Sequence, residues 1–189
     1  YGPSTLRKGI EYSRNLMTVR IAKNLGVNKI LDLSRELEIY EEIPELLSVS
    51  LGSVETSLLN LTSAYATFVN GGKKIKPILI NRIQDRRGKT IFSSNFAQCK
   101  GCDRYNEDNK EEGFPKIDLN NKQIISEQTA YQMTSILKGV ITRGTGKKLK
   151  DLNVPIAGKT GTTNNNFDAW FIGFTSNLVV GVYIGFDNP

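Results

Sequence analysis

The residues with the most evident chemical potential form one short run near the end of the chain, Lys159-Thr160-Gly161-Thr162. The run begins where an apolar segment, residues 154–159, which we interpret as a strand, comes to its end. A fixed ammonium group beside hydroxyls and a free backbone N–H is suited to binding a carboxylate or an oxyanion. Gly161 has no side chain and would let another backbone approach closely. A polar strand end followed by a turn would show the same residues, so this run alone does not decide the function.

The composition of the chain narrows the possible chemistry. The chain has no histidine, which excludes a Ser-His-Asp or Cys-His mechanism within it and any histidine-ligated metal. Acid–base catalysis would therefore depend on Lys, Tyr, Asp or Glu, or on a Lys-Ser pair. We expect no metal and no other cofactor.

The two cysteines, Cys99 and Cys102, lie close together in the chain. No alternation of strand and helix surrounds them, so they do not form a thioredoxin-like motif, and two thiolates supply only half of a zinc site. A small disulfide in an oxidising compartment and a pair of free thiols both remain open, and we favour the disulfide.

The overall composition is that of a globular domain with a basic surface. The 189 residues are 39% apolar and 23% charged, with a formal net charge of +6, which is enough chain for one domain with a hydrophobic core. The positive charge suits an anionic neighbour such as nucleic acid, a membrane face or an acidic polymer, or simply a solvated surface. No run of 18 apolar residues could span a bilayer. No signal peptide opens the chain, and we expect both of its ends to be cut from a longer protein.

Hydrophobic periodicity and capping residues predict the elements that must position the Lys159 run. We expect helices over 5–26, interrupted near residues 12–15, and over 27–37, followed by a helix capped by Ser53 and a helix capped by Ser126. We expect a β-hairpin from 75–83 and 89–92, a loop-rich stretch over 93–121, and strands at 154–159, 168–174 and 178–186. The last strand is apolar on both faces and should be covered on both sides. The prediction is an α+β fold with several layers, in which helices flank a three-stranded antiparallel sheet.

The Lys159 run resembles the third active-site motif of the penicillin-binding proteins, a family marked by the motif set S-x-x-K, S-D-N and K-T-G. The segment from Tyr12 to Arg20, with Ser13 and Asn15 at the predicted break between two helices, resembles the second motif, Ser-x-Asn. Residues 50–53, 64–66, 70–72, 130–133 and 143–146 are also similar to that family. The similarity covers nearly the whole chain, is weakest over 93–121, and is strongest to class A members of the 1A type, which join a glycosyltransferase to a transpeptidase.

This resemblance implies a partial transpeptidase domain over residues 1–189, with a loop-rich insertion at about 93–121 and the fold shared by penicillin-binding proteins and serine β-lactamases. It implies serine acyl transfer that cross-links peptidoglycan stem peptides, and a site that β-lactams block. The implied partners are stem peptides, a lipid-linked precursor, β-lactams and other cell-wall synthesis proteins, with no nucleic acid. The implied location is the periplasmic face of the bacterial inner membrane, reached through a segment outside this chain.

The resemblance also implies roles for particular residues. Lys159 with the hydroxyls of Thr160 and Thr162 would hold the terminal carboxylate of the substrate, and the Thr162 N–H would form half of the oxyanion hole. Ser13 would relay a proton towards the leaving nitrogen, and Asn15 would bind the amide of the acyl chain. Three further residues complete the expected site: Gly161 and Thr163 in contact with substrate, and Asp168 bracing the Lys159 strand.

The first motif of the family, which supplies the nucleophilic serine and its lysine, is expected to lie outside this chain. We expect no Ser-x-x-Lys in this chain, because Thr5-Leu6-Arg7-Lys8, which is close to it, has the wrong nucleophile, lies immediately before Ser13 and is interpreted as a solvated helix start. Two other interpretations are therefore kept: a serine β-lactamase-like hydrolase, and a non-catalytic binding or scaffold domain of the same fold. A Ser-x-x-Lys upstream of Tyr1, preceded by a glycosyltransferase and a membrane anchor, would favour the transpeptidase.

Overall fold

The computed structural model describes residues 2–94, 98–100, 116–119, 121–163 and 167–186. The backbone groups into two units, one formed by residues 1–75 and 123–189 and the other by residues 76–122. All residues predicted to bind or transform a ligand belong to the first unit. Cys102 and the Cys99 side chain lie outside the described residues, so the proposed disulfide remains a prediction.

Three helices open the first unit: α1 (Leu6–Glu11), α2 (Asn15–Leu25) and α3 (Val27–Glu36). The predicted interruption between the first two is confirmed, and Gly26, with φ of 92°, separates α2 from α3. The side chain of Thr5 accepts a hydrogen bond from the Lys8 backbone N–H and caps α1. The Thr5–Lys8 segment is thus a helix start, as expected.

Helix α4 spans Leu58–Val69 and α5 spans Glu127–Thr142, with 3₁₀ turns at Leu47–Leu51 and Lys147–Leu152. Ser126 caps α5, as predicted, because its side chain accepts from the Thr129 backbone N–H. The predicted cap of α4 was wrong. Ser57 rather than Ser53 accepts from a first-turn N–H, because the cap must lie directly before the first helical residue.

Three antiparallel strands complete the first unit: β5 (Ala157–Thr162), β6 (Asp168–Phe174) and β7 (Val179–Gly185), in the order β5-β6-β7. The predicted three-stranded sheet is confirmed, but β5 begins three residues later than predicted and continues through Thr162. Pro155 lacks an N–H for a sheet ladder, which is consistent with the later start. Lys159 therefore lies within the strand rather than at its end, and the Thr160–Thr162 segment is extended too.

The second unit contains two short antiparallel pairs, β1 (Arg82–Gln84) with β2 (Thr90–Ser93), and β3 (Gln98–Lys100) with β4 (Lys116–Asp118). The predicted hairpin forms, but its first strand starts at Arg82 rather than at residue 75, and Pro77 is one reason, since proline cannot donate to a ladder. The stretch 93–121, expected to be loop-rich, contributes the short strands β3 and β4. None of the helices in the described ranges has the length and hydrophobicity needed to cross a bilayer.

The core of the first unit joins α5 to the sheet. Leu137 and Val140 of α5 pack against Ala157 of β5 and Phe174 of β6. Partly buried side chains from α1, α4 and β7 surround this cluster: Ile10, Tyr65, Phe68, Val69 and Val179. The start of β5 is thus anchored to α5, which fixes the course of the strand that carries Lys159.

The exposure of strand β7 differs from the prediction that both of its faces are covered. The described residues leave Val180 at 45%, Val182 at 44% and Ile184 at 71% exposure. Among the described residues of β7, Val179 at its start packs against the core cluster. The prediction that both faces of this strand are covered is therefore wrong for the described part of the chain.

Truncating a buried core leucine should lower the free energy of unfolding, and truncating an exposed leucine should leave it nearly unchanged. Leu137 is 2% exposed and Leu152 is 57% exposed. Leu137→Ala should lower the free energy of unfolding by about 2–5 kcal/mol, because it leaves a cavity between α5 and the sheet. Leu152→Ala should change it by no more than about 0.5 kcal/mol. Urea denaturation of the two variants checks this, and equal losses would contradict the assignment of the core.

Candidate functional site

Ser13 lies in the three-residue connection, Tyr12 to Arg14, that separates α1 from α2. Its φ is +50°, a left-handed conformation that is uncommon for serine. Hydrogen bonds from the Ser13 N–H to the Ile10 carbonyl at 3.2 Å and from the Arg14 N–H to the Gly9 carbonyl at 2.9 Å hold the turn. The strained backbone is therefore fixed by its surroundings, and it directs the Ser13 hydroxyl to a defined position.

Lys159 reaches Ser13 from β5. Its Nζ donates to the Ser13 Oγ and also to the Thr160 carbonyl oxygen, the latter at 2.7 Å. Burial lowers the pKa of the Lys159 ammonium from its usual value, because the charged form loses hydration. The two motif residues, distant in the sequence, thus form one polar centre.

The strand beyond Lys159 offers an unpaired edge. In the part of the chain that the structure describes, β5 pairs only with β6, so its other edge carries free backbone groups. The Thr160 Oγ1 lies 2.6 Å from the Thr145 Oγ1, so the two hydroxyls are hydrogen-bonded. An edge strand with free N–H and C=O groups can bind an extended peptide as an additional strand.

A cleft of about 440 Å³ runs along this edge. Its polar side is formed by Ser13, Asn15, Lys159 and the residues Thr160–Thr162. Its apolar side comes from α1, α4, α5 and the Leu47–Leu51 turn, and includes Ile10, Leu51, Leu61, Phe68, Met133 and Leu137. Tyr65 also lines the cleft, and burial raises the pKa of its phenol to about 12, so this hydroxyl stays neutral at physiological pH.

Thr163 and Asp168 contact each other at the end of β5. The Asp168 N–H donates to the Thr163 Oγ1 at 2.8 Å, and the Thr163 N–H donates to the Asp168 carbonyl at 3.1 Å. The Tyr183 hydroxyl donates to the Asp168 Oδ1 at 3.0 Å. Asp168 therefore contacts the end of the strand that carries Lys159, and the Thr163 hydroxyl accepts a hydrogen bond from the Asp168 N–H. The bracing role of Asp168 and the substrate contact of Thr163 both stay predictions.

The pattern Ser-x-x-Lys does occur once in the chain, after Ser13, at Ser135-Ile136-Leu137-Lys138 in α5. The expectation that the chain holds none must be corrected. The structure does not bring this pair to the cleft, however. Arg7 donates to the Ser135 Oγ at 3.3 Å and to its carbonyl at 3.0 Å, and Lys138 is exposed. These residues follow from the helical surface pattern of α5 and do not join Lys159 and Ser13.

Sequence reasoning missed three residues that support the site. Thr145 holds the Thr160 hydroxyl, and Glu11 and Arg143 form an ion pair with a closest N–O distance of 2.5 Å. The carboxylate of Glu11 raises the pKa of the Arg143 guanidinium through a hydrogen bond and charge attraction. In the sequence, residues 143–146 stand out only through their similarity to the family. Glu11 directly follows Ile10 on a helix face that enters the core. An acidic residue at such a position indicates a buried, paired carboxylate.

The described side chains contain no group of three or more His, Cys, Asp or Glu residues able to hold a metal ion. The arrangement instead joins a desolvated lysine, a serine hydroxyl and an open strand edge. Chemically, such an arrangement can bind a carboxylate and can assist proton transfer beside it.

The chain belongs to the penicillin-binding protein transpeptidase domain family, whose model matches residues 1–189. It is 42% identical over 189 residues to penicillin-binding protein 1A of Rickettsia bellii and 44% identical over 190 residues to that of Rickettsia prowazekii. Both alignments cover 100% of this chain and 24% of the relative. The chain therefore spans about a quarter of the length of these relatives.

Solved structures show the same fold. The crystal structure of penicillin-binding protein 1A from Haemophilus influenzae matches with a TM-score of 0.80 and 29% identity, over 100% of this chain and 31% of that one. The PonA1 protein from Mycobacterium tuberculosis, solved in complex with penicillin V, matches with a TM-score of 0.72 and 20% identity, over 98% of this chain and 49% of that one. The predicted α+β transpeptidase fold is thereby confirmed.

The amine of Lys159 should titrate below the usual lysine value of 10.5, because burial disfavours its charged form. Acetylation at a series of pH values, followed by mass spectrometry of the Lys159 peptide, would give the midpoint. Ser13→Ala should leave the midpoint low, since burial rather than the serine hydroxyl is the main cause. A midpoint at or above 10.5 in the unmodified protein would contradict this account.

Proposed function

We propose that this chain is part of a D,D-transpeptidase domain that cross-links peptidoglycan stem peptides by serine acyl transfer. The observation that carries the proposal is the contact between Lys159 and Ser13 beside the open edge of β5. The family match favours this function over a β-lactamase-like hydrolase and over a non-catalytic scaffold.

The substrate would bind as an extended strand along β5. Its terminal carboxylate would meet the Lys159 ammonium and the hydroxyls of Thr160 and Thr162. Charge-assisted hydrogen bonds of this kind are roughly twice as strong as neutral ones. Gly161 lies between the two threonines, where a Cβ would come within 3.3 Å of the Trp170 side chain. The cleft would thus select peptides that end in a free carboxylate.

The chemical step would require a serine nucleophile from a part of the protein outside this chain. That serine would attack the carbonyl carbon of the D-Ala-D-Ala amide, and the C–N bond would break as D-Ala leaves with a proton on its nitrogen. An amine of a second stem peptide would then attack the acyl-enzyme, releasing the serine and forming the cross-link. Ser13, in contact with Lys159, would pass the proton to the leaving nitrogen.

Two further residues would act on the acyl group. The Thr162 backbone N–H would donate to the oxyanion that forms during attack, a contribution often worth about 3 kcal/mol in the transition state. Asn15, which lines the cleft at the start of α2, would bind the amide of the acyl chain. A β-lactam presents a carboxylate and a strained amide in the same relation and would occupy the same contacts.

The remaining properties of the whole protein are proposals that rest on its relatives. These include a second, glycosyltransferase activity on a lipid-linked precursor, contacts with other cell-wall synthesis proteins, and a membrane anchor outside the chain. The site would face the periplasm, where its peptidoglycan substrate lies. That compartment would also keep Cys99 and Cys102 oxidised.

Lys159→Ala in the full-length protein should slow acylation by a β-lactam on the order of 10- to 100-fold, the loss expected for one charge-assisted hydrogen bond. The free energy of unfolding should change by no more than about 1 kcal/mol, because the substitution removes a desolvated cation at the rim of the cleft. Stopped-flow acylation and thermal melts measure the two effects, and Lys150→Ala at an exposed position is the control. An unchanged acylation rate would remove Lys159 from the site.

The 189-residue chain by itself should form no covalent adduct with penicillin. Ser13 has no Ser-x-x-Lys partner of its own, and Ser135, which has one in the sequence, lies apart from the cleft residues. Incubation with a fluorescent penicillin and a denaturing gel provides the test, with the full-length protein as positive control. A stoichiometric band on the isolated chain, mapped to either serine, would show that the nucleophile has been misplaced.

A further inference from the structure

Glu11, at the end of α1, is the only buried charged side chain among the described residues, with 4% exposure. Arg143, just after α5, donates hydrogen bonds to both of its carboxylate oxygens. The Arg143 Nε donates to Oε2 at 3.2 Å and Nη2 donates to Oε1 at 2.5 Å. Arg7 adds a longer ion pair at 3.9 Å. Burying a carboxylate costs free energy unless it is paired in this way. The pairing therefore fixes the positions of Glu11 and Arg143 relative to each other.

The backbone of Glu11 is engaged by the same segment. The Thr145 N–H donates to the Glu11 carbonyl oxygen at 3.1 Å. The end of α1 is therefore attached to residues 143–145 at two points, one through the side chain and one through the backbone. A two-point attachment restricts rotation as well as separation of the two segments.

Two glycines make room for this attachment. A Cβ on Gly139 would lie 1.9 Å from the Glu11 Oε1, and a Cβ on Gly144 would lie 2.1 Å from the Glu11 carbonyl oxygen. Gly139 is inside α5, where glycine is less favourable than alanine by roughly 0.5–1 kcal/mol. The helix thus accepts a less stable residue where the carboxylate of Glu11 must approach.

The attachment closes a ring of contacts around the site. Ser13 follows Glu11 by two residues. Thr145, which binds the Glu11 carbonyl, also holds the Thr160 hydroxyl at 2.6 Å. Lys159 completes the ring, because its Nζ contacts both the Thr160 carbonyl and the Ser13 Oγ. Neither Glu11 nor Arg143 lines the cleft itself.

We propose that the Glu11–Arg143 pair is a positioning device for the reaction. It sets the Ser13 hydroxyl against Lys159 and, through Thr145, sets the Thr160 hydroxyl for the substrate carboxylate. This inference rests on the proposed function. In this role an ion pair outside the cleft does more than stabilise the fold. It positions the Ser13 hydroxyl for the proton relay and the Thr160 hydroxyl for the carboxylate contact.

The test uses the full-length protein with a penicillin as free acid and as its methyl ester, which lacks the carboxylate charge. Glu11→Gln should lower the second-order acylation rate with the free acid by roughly 10- to 100-fold, since a displacement of about 1 Å from a remote mutation can cost that much. The ester should lose less, so the acid-to-ester rate ratio should fall. All rates are measured well below the melting temperature of each variant and normalised to folded protein.

Thr145→Val provides a second variant in case Glu11→Gln does not fold. Thr145 is exposed, and valine keeps its shape while removing the hydroxyl that meets Thr160, so the acid-to-ester ratio should fall without a large change in melting temperature. Asp32→Asn is the matched control, because it breaks an ion pair with Arg35 at 3.1 Å between side chains that are 71% and 55% exposed. This control should leave both rates unchanged.

The outcomes separate the two proposals. If the unmodified protein is not acylated, the proposed function fails. If it is acylated, but Glu11→Gln and Thr145→Val keep its rates and its acid-to-ester ratio, the positioning role is overturned. A lower melting temperature for Glu11→Gln with unchanged rates would likewise show a purely structural ion pair and overturn the inference.

Discussion

The contact between the Lys159 ammonium and the Ser13 hydroxyl is the interaction on which the site depends. It joins residues that are 146 positions apart, one on a strand and one on a strained turn between helices. A lysine that loses hydration needs acceptors for its protons, and Ser13 and the Thr160 carbonyl supply them. Ser13 lies between two helices and Thr160 lies in the sheet, so the lysine side chain links the helical and the sheet parts of the unit.

The packing below this contact explains why it can be held. Leu137 and Val140 of α5 pack on Ala157 and Phe174, which joins α5 to the sheet. Gly158 permits the close approach of β5 to β6, since a Cβ there would lie 2.6 Å from the Ile172 carbonyl oxygen. β5 can therefore lie flat against β6 while its other edge stays open.

The cleft combines two environments. Its β5 side presents a cation, hydroxyls and free backbone groups, whereas α1, α4 and α5 contribute mainly apolar side chains. Low solvent exposure on the apolar side strengthens electrostatic interactions on the polar side. The neutral phenol of Tyr65 adds a polar group to that wall without adding charge. Such a division suits a substrate whose reacting end is charged and whose remaining length is held by backbone pairing.

The local pattern of the sequence determined much of the fold. The break at Ser13 and Asn15, the cap at Ser126 and the strand at 168–174 follow from capping and periodicity, which depend on near neighbours in the chain. The motif residues Ser13, Asn15, Lys159 and Thr160 could be selected from their resemblance to a known family. The start of β5 and the cap of α4 were misplaced by a few residues, since several neighbouring positions satisfy the same local rules.

Only the tertiary structure decided which distant residues meet. Nothing in the sequence pairs Glu11 with Arg143, or Thr145 with Thr160, because such contacts depend on how α1, α5 and β5 pack rather than on local spacing. The same packing separates Ser135 and Lys138 from the cleft, although their spacing matches a catalytic motif. Residue type and local period are properties of short segments, whereas the position of a hydroxyl relative to an ammonium is set by the core that holds those segments together.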